Sequence, residues 1–226
     1  MNDRPLISEL PPEYAYDENG FLKQIVHYPF EYTQEYKDHQ STNVQMSFLR
    51  LGWVTSFFDF EEIRSMEVVD VGCGNGTFVK SCSNIFGNVY GYDVAGESIS
   101  EERLYGKAWD LAILSDVLEH FDDIEDLFKI NWKYCMLSFP EVPPVEKFSE
   151  LMSWRHFKPN EHIYYLYTEG VRRWVGKRPE VSVLGQSNFE DLLRTRWDKR
   201  KVNITTLLLK RQIEDESSFH HNTVSQ

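Results

Sequence analysis

Cysteine is scarce in this 226-residue chain: Cys73, Cys82 and Cys135 are odd in number and never spaced as C-x-x-C. Neither a disulfide framework nor a zinc site is thereby indicated, and a reducing, cytoplasmic setting is the expectation. Long apolar runs are missing too. No stretch approaches the roughly 18 residues of a membrane-spanning helix, and the opening MNDRPLISELPPEY lacks the basic-then-apolar order of an export signal. Positive charge is short as well, with 24 Lys and Arg against 36 Asp and Glu, a formal net charge of -12. Tracking a nucleic-acid backbone needs the opposite balance, because affinity there comes from cations that displace phosphate counterions. A small neutral or cationic substrate suits the chain better than nucleic acid.

Aromatic residues are abundant, with 15 Phe, 12 Tyr and 6 Trp, and 41% of the chain is hydrophobic. Such a composition folds rather than staying disordered, and the length suits one domain with a substantial core. Residues 1–40, rich in Pro, Tyr and acidic residues, read as an aromatic arm; residues 41–211 read as the main domain; residues 212–226 read as a polar tail whose His220 and His221 belong to no metal pattern. A helix is expected from residue 41 onward, with Thr42 and Gln45 spaced as a capping box and Met46, Leu49, Trp53, Phe57 and Phe60 forming its buried stripe. Short apolar runs then alternate with helical patterns, which predicts a parallel sheet with crossover helices. Strands are expected near 67–71, 88–93, 109–115, 133–139, 180–185 and 203–210. Helices are expected near 77–86, 123–131 (Asp122 and Glu125 at cap spacing) and 168–175, the last starting at Thr168 and ending at Gly176.

The stretch VVDVGCGNGTF places Gly72, Gly74 and Gly76 in a strand-to-helix turn, where glycine lets the backbone bend sharply and a ligand approach closely. A phosphate loop would need a lysine where Gly76-Thr77-Phe78 stands. A dinucleotide fingerprint would need its third glycine at Thr77, one residue later than it comes. After the second apolar run, VYGYD brings Asp93 to the spacing of about 20 residues at which a Rossmann-like unit offers a carboxylate to both ribose hydroxyls.

An acidic residue followed by G-x-G-x-G after the first strand resembles motif I of class I S-adenosylmethionine-dependent methyltransferases. Further landmarks follow in order: Trp109-Asp110-Leu111 leading to Leu118-Glu119-His120, then Ser138-Phe139-Pro140, then NEHIYYLYTEGVRRWV before a helix. The resemblance covers about residues 67 to 175. It implies an α/β fold with a Rossmann-like, mostly parallel sheet flanked by helices and an antiparallel C-terminal strand. It also implies S-adenosyl-L-methionine as cofactor, held by Asp70, Gly72, Cys73, Gly74, Asn75, Gly76, Asp93, Val94, Ser115, Asp116 and Val117. Cys73 would act through its backbone, Val94 would pack on adenine, and Asp116 would hold the methionine end or the substrate, or else cap a helix.

Two departures stand out. Sixteen residues, VAGESISEERLYGKAW, separate Asp93 from Asp110, so the third strand is shortened or missing, and with it the usual acidic adenine contact. The K-P-G-G turn before the fifth strand is replaced by KINWKYCML.

His120 is a candidate general base, since imidazole near pKa 6.5 takes a proton at neutral pH, or a brace for its loop. The stretch SWRHFKPNEH gathers Trp154, Arg155, His156, Lys158, Glu161 and His162 where this fold builds its substrate wall, and His156 and His162 join His120 as catalytic candidates. Their spacing matches neither H-E-x-x-H nor a common zinc pattern, so no metal ligand is expected. The cluster Arg194, Arg196, Lys199, Arg200 and Lys201 is a solvated face or a docking patch. The expected reaction is in-line methyl transfer to an oxygen or carbon of a small molecule such as a sugar, quinone precursor or other metabolite. Alternatives are an RNA or protein methyltransferase, or a silent cofactor-binding module. The sequence sets no oligomeric state.

Overall fold

The computed structural model describes residues 6–31, 33, 44–95, 99–194 and 203–212. Early in the chain Asp17 turns the backbone on itself: its Oδ1 accepts from the amides of Asn19 (2.9 Å) and Phe21 (2.8 Å), and Gly20 takes φ 80°. Strands β1 (Tyr14–Tyr16) and β2 (Leu22–Gln24) form the resulting hairpin. Helix α1 (Val44–Thr55) ends before Asp59, which caps a separate α2 (Phe60–Ser65) through a reciprocal box with Glu62. The expected single helix is thus broken, and its stripe is corrected: Phe60 is 69% exposed, while Met46, Ser47, Arg50, Leu51 and Val54 are buried. The Thr42 cap lies outside the described residues.

Strands β3 (Glu67–Val71), β4 (Asn88–Tyr92), β5 (Trp109–Ser115) and β6 (Trp132–Pro140) pair in parallel. Helix α3 (Thr77–Cys82) follows β3, and α4 (Glu101–Gly106) follows β4. After β6 come α5 (Phe148–Leu151), β7 (Tyr164–Tyr165), α6 (Thr168–Gly176), β8 (Val181–Ser187), α7 (Asp191–Arg194) and β9 (Ile204–Arg211). The six-stranded sheet runs β4-β3-β5-β6-β9-β8, with β9 antiparallel to both neighbours. The expected mostly parallel sheet with an antiparallel C-terminal strand is what forms.

Among the described residues no strand stands between Asp93 and Trp109. Helix α4 takes that place, capped by Ser100, with Leu104 buried and its carbonyl accepting from the Trp109 indole at 2.9 Å. The segment after His120 is a 3-10 helix, Ile124–Lys129, and its cap is Asp123, not Asp122.

Side chains alternate across the parallel strands, and both faces are apolar. Val68, Leu111, Ile113 and Met136 pack beneath α1 and α3; Val69, Val71, Ala112, Leu114, Leu137 and Phe139 pack beneath α4, α6 and the 3-10 helix. A third core joins the arm to the region after β6: β2 pairs with β7, and Tyr14, Phe148, Trp154 and Tyr165 close over Ile7 and Leu22. No helix among the described residues is long and apolar enough to cross a membrane.

Charges are nevertheless sealed inside. Arg50 of α1 grips Glu190 with Nε to Oε1 at 2.8 Å and Nη2 to Oε2 at 3.0 Å, both side chains buried, and its Nη2 lies 3.6 Å from Asp116 Oδ2. Asp70, flanked by Val69 and Val71, is 6% exposed. Burial pushes its carboxyl up to about 7; the Arg50 charge opposes this and the Asp93 charge adds to it.

Arg50→Ala strands Glu190 without its partner and is expected to lower the unfolding free energy by roughly 3–5 kcal/mol in a urea titration. Arg50→Met with Glu190→Met is expected to recover most of that; a negligible loss in the single variant would show the pair to be idle. For Asp70 the folded pKa lies above the unfolded value of about 3.9, so the native state binds the extra proton and loses stability as pH rises from about 4 to about 7. The stability advantage of Asp70→Asn over the parent should therefore grow across that window, and parallel melting curves would refute it.

Candidate active site

The site begins where β3 runs out of side chains. Gly72, Gly74 and Gly76 have φ of 70°, 54° and 71°, the left-handed region in which other residues are strained. The Gly72 and Cys73 amides both donate to the Tyr92 carbonyl, at 2.7 and 3.1 Å, so the turn is fastened to the end of β4. A Cβ on Gly72 would stand 2.3 Å from Val117 Cγ2, so the same turn presses against the end of β5. Asn75 Oδ1 accepts from the Thr77 amide (3.1 Å) and hydroxyl (2.6 Å), which starts α3.

Asp93 closes this arrangement. One carboxylate oxygen accepts from the Gly74 amide and the other from the Ala95 amide, each at 2.8 Å. Beside it Val94 projects with 75% exposure. Past Ser115, Asp116 takes φ 57°, its amide donating to the Ser138 carbonyl at 2.9 Å. A short carboxylate side chain tolerates that conformation better than most. Asp70, Gly72 to Gly76, Asp93, Val94 and Ser115 to Val117 are thus gathered at the carboxyl ends of β3, β4 and β5, the edge where open α/β sheets bind ligands.

Cys73 is buried, and its thiol is pushed up to about 12, chiefly by desolvation and then by the Asp70 and Asp93 charges. That makes it an unreactive neighbour of the turn. Arg50 and Glu190, which brace Asp116, escaped the sequence reading; the only available signal was an arginine within the apolar stripe of α1.

The histidines are unequal. His120 and His162 meet edge to face with ring centroids 4.8 Å apart, while His156 stands half-buried with its ring against Trp154. His162 is held neutral, its pKa pushed down to about 2 by burial and by the neighbouring His120, Lys158 and His156. Burial lowers His120 too, against the pull of Glu161 and Asp116. Glu119, His120 and His162 each offer a metal-ligand atom within 4.8 Å of the others. Of the basic cluster, Arg196, Lys199, Arg200 and Lys201 lie outside the described residues.

A family model described as "Methyltransferase domain" matches residues 48–178, more than half of the chain. Among solved structures, magnesium protoporphyrin IX methyltransferase from Synechocystis PCC 6803 with bound SAH is 16% identical. It has a TM-score of 0.51, with 82% of this chain and 90% of that one covered. An S-adenosylmethionine-dependent methyltransferase from Clostridium acetobutylicum ATCC 824 is 13% identical at TM-score 0.52, covering 78% and 94%. The plantazolicin methyltransferase in complex with SAH is 15% identical at TM-score 0.51, covering 79% and 88%. No curated protein sequence matches the chain. At these identities the structural likeness is one of fold, and the family match carries the assignment: the chain belongs to the methyltransferase-domain family and has the fold of S-adenosylmethionine-dependent methyltransferases.

Proposed function

We propose that this protein transfers a methyl group from S-adenosylmethionine to an oxygen or carbon of a small-molecule acceptor. The observation that carries the cofactor reading is the left-handed glycine turn whose Gly74 amide is held by the Asp93 carboxylate. The fit is supported by room: a Cβ built on Gly74 or Gly76 would meet nothing within 4 Å, so the backbone faces open space where a ligand can lie against it.

In this reading Asp93 orients the ribose, and Gly72, Cys73, Gly74, Asn75 and Gly76 present backbone toward the methionine portion. Val94, which projects from the Asp93 corner, covers adenine in place of the contact that a third strand would supply. Asp70, Ser115, Asp116 and Val117 complete the wall. The bound cofactor supplies a methyl group already activated on a sulfonium, so the protein's work is alignment and exclusion of water. The described part of the arm (residues 6–31) and the segment at 140–165 serve as the acceptor's cover, with His120, His156 and His162 on that side. Support for a small acceptor comes from the acidic charge and from the core that the arm shares with the segment after β6. Two of the similar proteins are named for magnesium protoporphyrin IX and plantazolicin.

Asp93→Ala is expected to weaken S-adenosylhomocysteine binding roughly 10- to 100-fold by calorimetry, the worth of charge-assisted hydrogen bonds. Unchanged affinity would remove the ribose assignment. Incubating the protein with methyl-labelled S-adenosylmethionine and a metabolite extract should place the label in a low-mass product. Label confined to RNA or protein, or none transferred, would refute the small-acceptor reading.

A further inference from the structure

Two segments distant in sequence are tied main chain to main chain beside the site, the Ile163 amide donating to the Glu119 carbonyl at 2.7 Å. That bond sets three metal-ligating side chains against one another. Donor atoms of Glu119, His120 and His162 lie within 4.8 Å of each other. Ligands at zinc bond lengths and tetrahedral angles stand roughly 3.3 Å apart, so the cluster needs only small torsional closure.

Burial keeps the cluster from water. Glu119 is 1% exposed and His162 4%. At His120 the negative field of Asp116 outweighs the positive field of Lys158, whereas at His162 the order is reversed. His120 hydrogen-bonds the Glu161 backbone, and its Nδ1 is buried with no hydrogen-bond partner among the described residues. One ring nitrogen on the backbone and the other left for coordination is the usual arrangement of a metal-bound histidine.

We propose that Glu119, His120 and His162 form a site for one zinc-type divalent transition-metal cation, with an open coordination position for an oxygen of the methyl acceptor. Two imidazoles and one carboxylate suit zinc or manganese rather than the all-oxygen preference of magnesium and calcium, and three protein ligands leave a position free, as in catalytic zinc sites. The site's role, though not its existence, rests on the methyltransferase reading above. A hydroxyl bound to the cation loses its proton to water more readily. Its lone pair then forms the carbon–oxygen bond while the carbon–sulfur bond breaks and leaves its electron pair on sulfur. The acceptor is thereby narrowed to a hydroxyl compound. Pattern matching along the chain passed over this site because His162 arrives from the strand-β7 side, far from the Leu118–His120 turn.

The test uses full-length protein treated with a chelator and titrated by calorimetry with zinc sulfate, manganese chloride and magnesium chloride in turn. Saturable binding of one zinc per chain, tighter than magnesium, is expected. His162→Ala and the less buried His120→Asn should each weaken zinc roughly tenfold or more. Cobalt(II) added to the unaltered protein should give the visible absorption of a nitrogen-ligated, low-coordinate ion, a readout that needs no variant. S-adenosylhomocysteine affinity is measured on the same chelated sample. Cofactor binding without any metal binding overturns this site and leaves the cofactor reading standing; zinc binding without cofactor binding does the reverse. Zinc binding undiminished in both histidine variants also overturns the site.

Discussion

The Gly72 amide bonded to the Tyr92 carbonyl, with the glycine's bare α-carbon pressed against Val117, holds the ends of three strands to one point. Without that close approach β3, β4 and β5 would still pair, but their carboxyl ends would not share a crevice. A methyl group at Gly72 would push Val117 away and carry Asp116 and the Leu118–His120 turn with it. The chemistry of the edge therefore depends on an absent side chain.

Burying charge is the second constraint. Asp70 is kept in an apolar strand and Glu190 beneath α1, and Arg50 stands near both while also reaching Asp116. One guanidinium thus couples the helix that covers the sheet to the acid that follows β5. Its planar fork suits this better than an ammonium would, because two parallel hydrogen bonds fix orientation as well as charge. The same burial makes Asp70 hard to ionise, so the crevice carries less negative charge at neutral pH than its residue types suggest.

The arm adds a third core. An open α/β sheet ends in bare loops, but here the β1–β2 hairpin recruits β7 and a cluster of Tyr14, Phe148, Trp154 and Tyr165. This packing desolvates His162 and brings it to His120. His162 is thereby a weak base, its pKa pushed down to about 2 by burial and by neighbouring positive groups.

Contiguous residues were legible wherever the physics is local. Strands at 67–71 and 109–115 follow from β-branched and apolar runs, and the left-handed turn follows from three alternate glycines that no other residue replaces cheaply. The missing third strand was legible as too little chain between Asp93 and Asp110. Helix periodicity misled at Phe57 and Phe60, because Asp59 offers a better cap than continuation of α1. The sequence by itself determined the six strands of the main sheet and the shape of the glycine turn, which depend on spacing and backbone freedom. Only the tertiary structure decided that Arg50 serves Glu190 and Asp116, that Asp70 holds its proton near neutrality, and that Glu119, His120 and His162 converge. Those outcomes rest on desolvation and on contacts between segments far apart in the chain, and neither leaves a mark in local spacing.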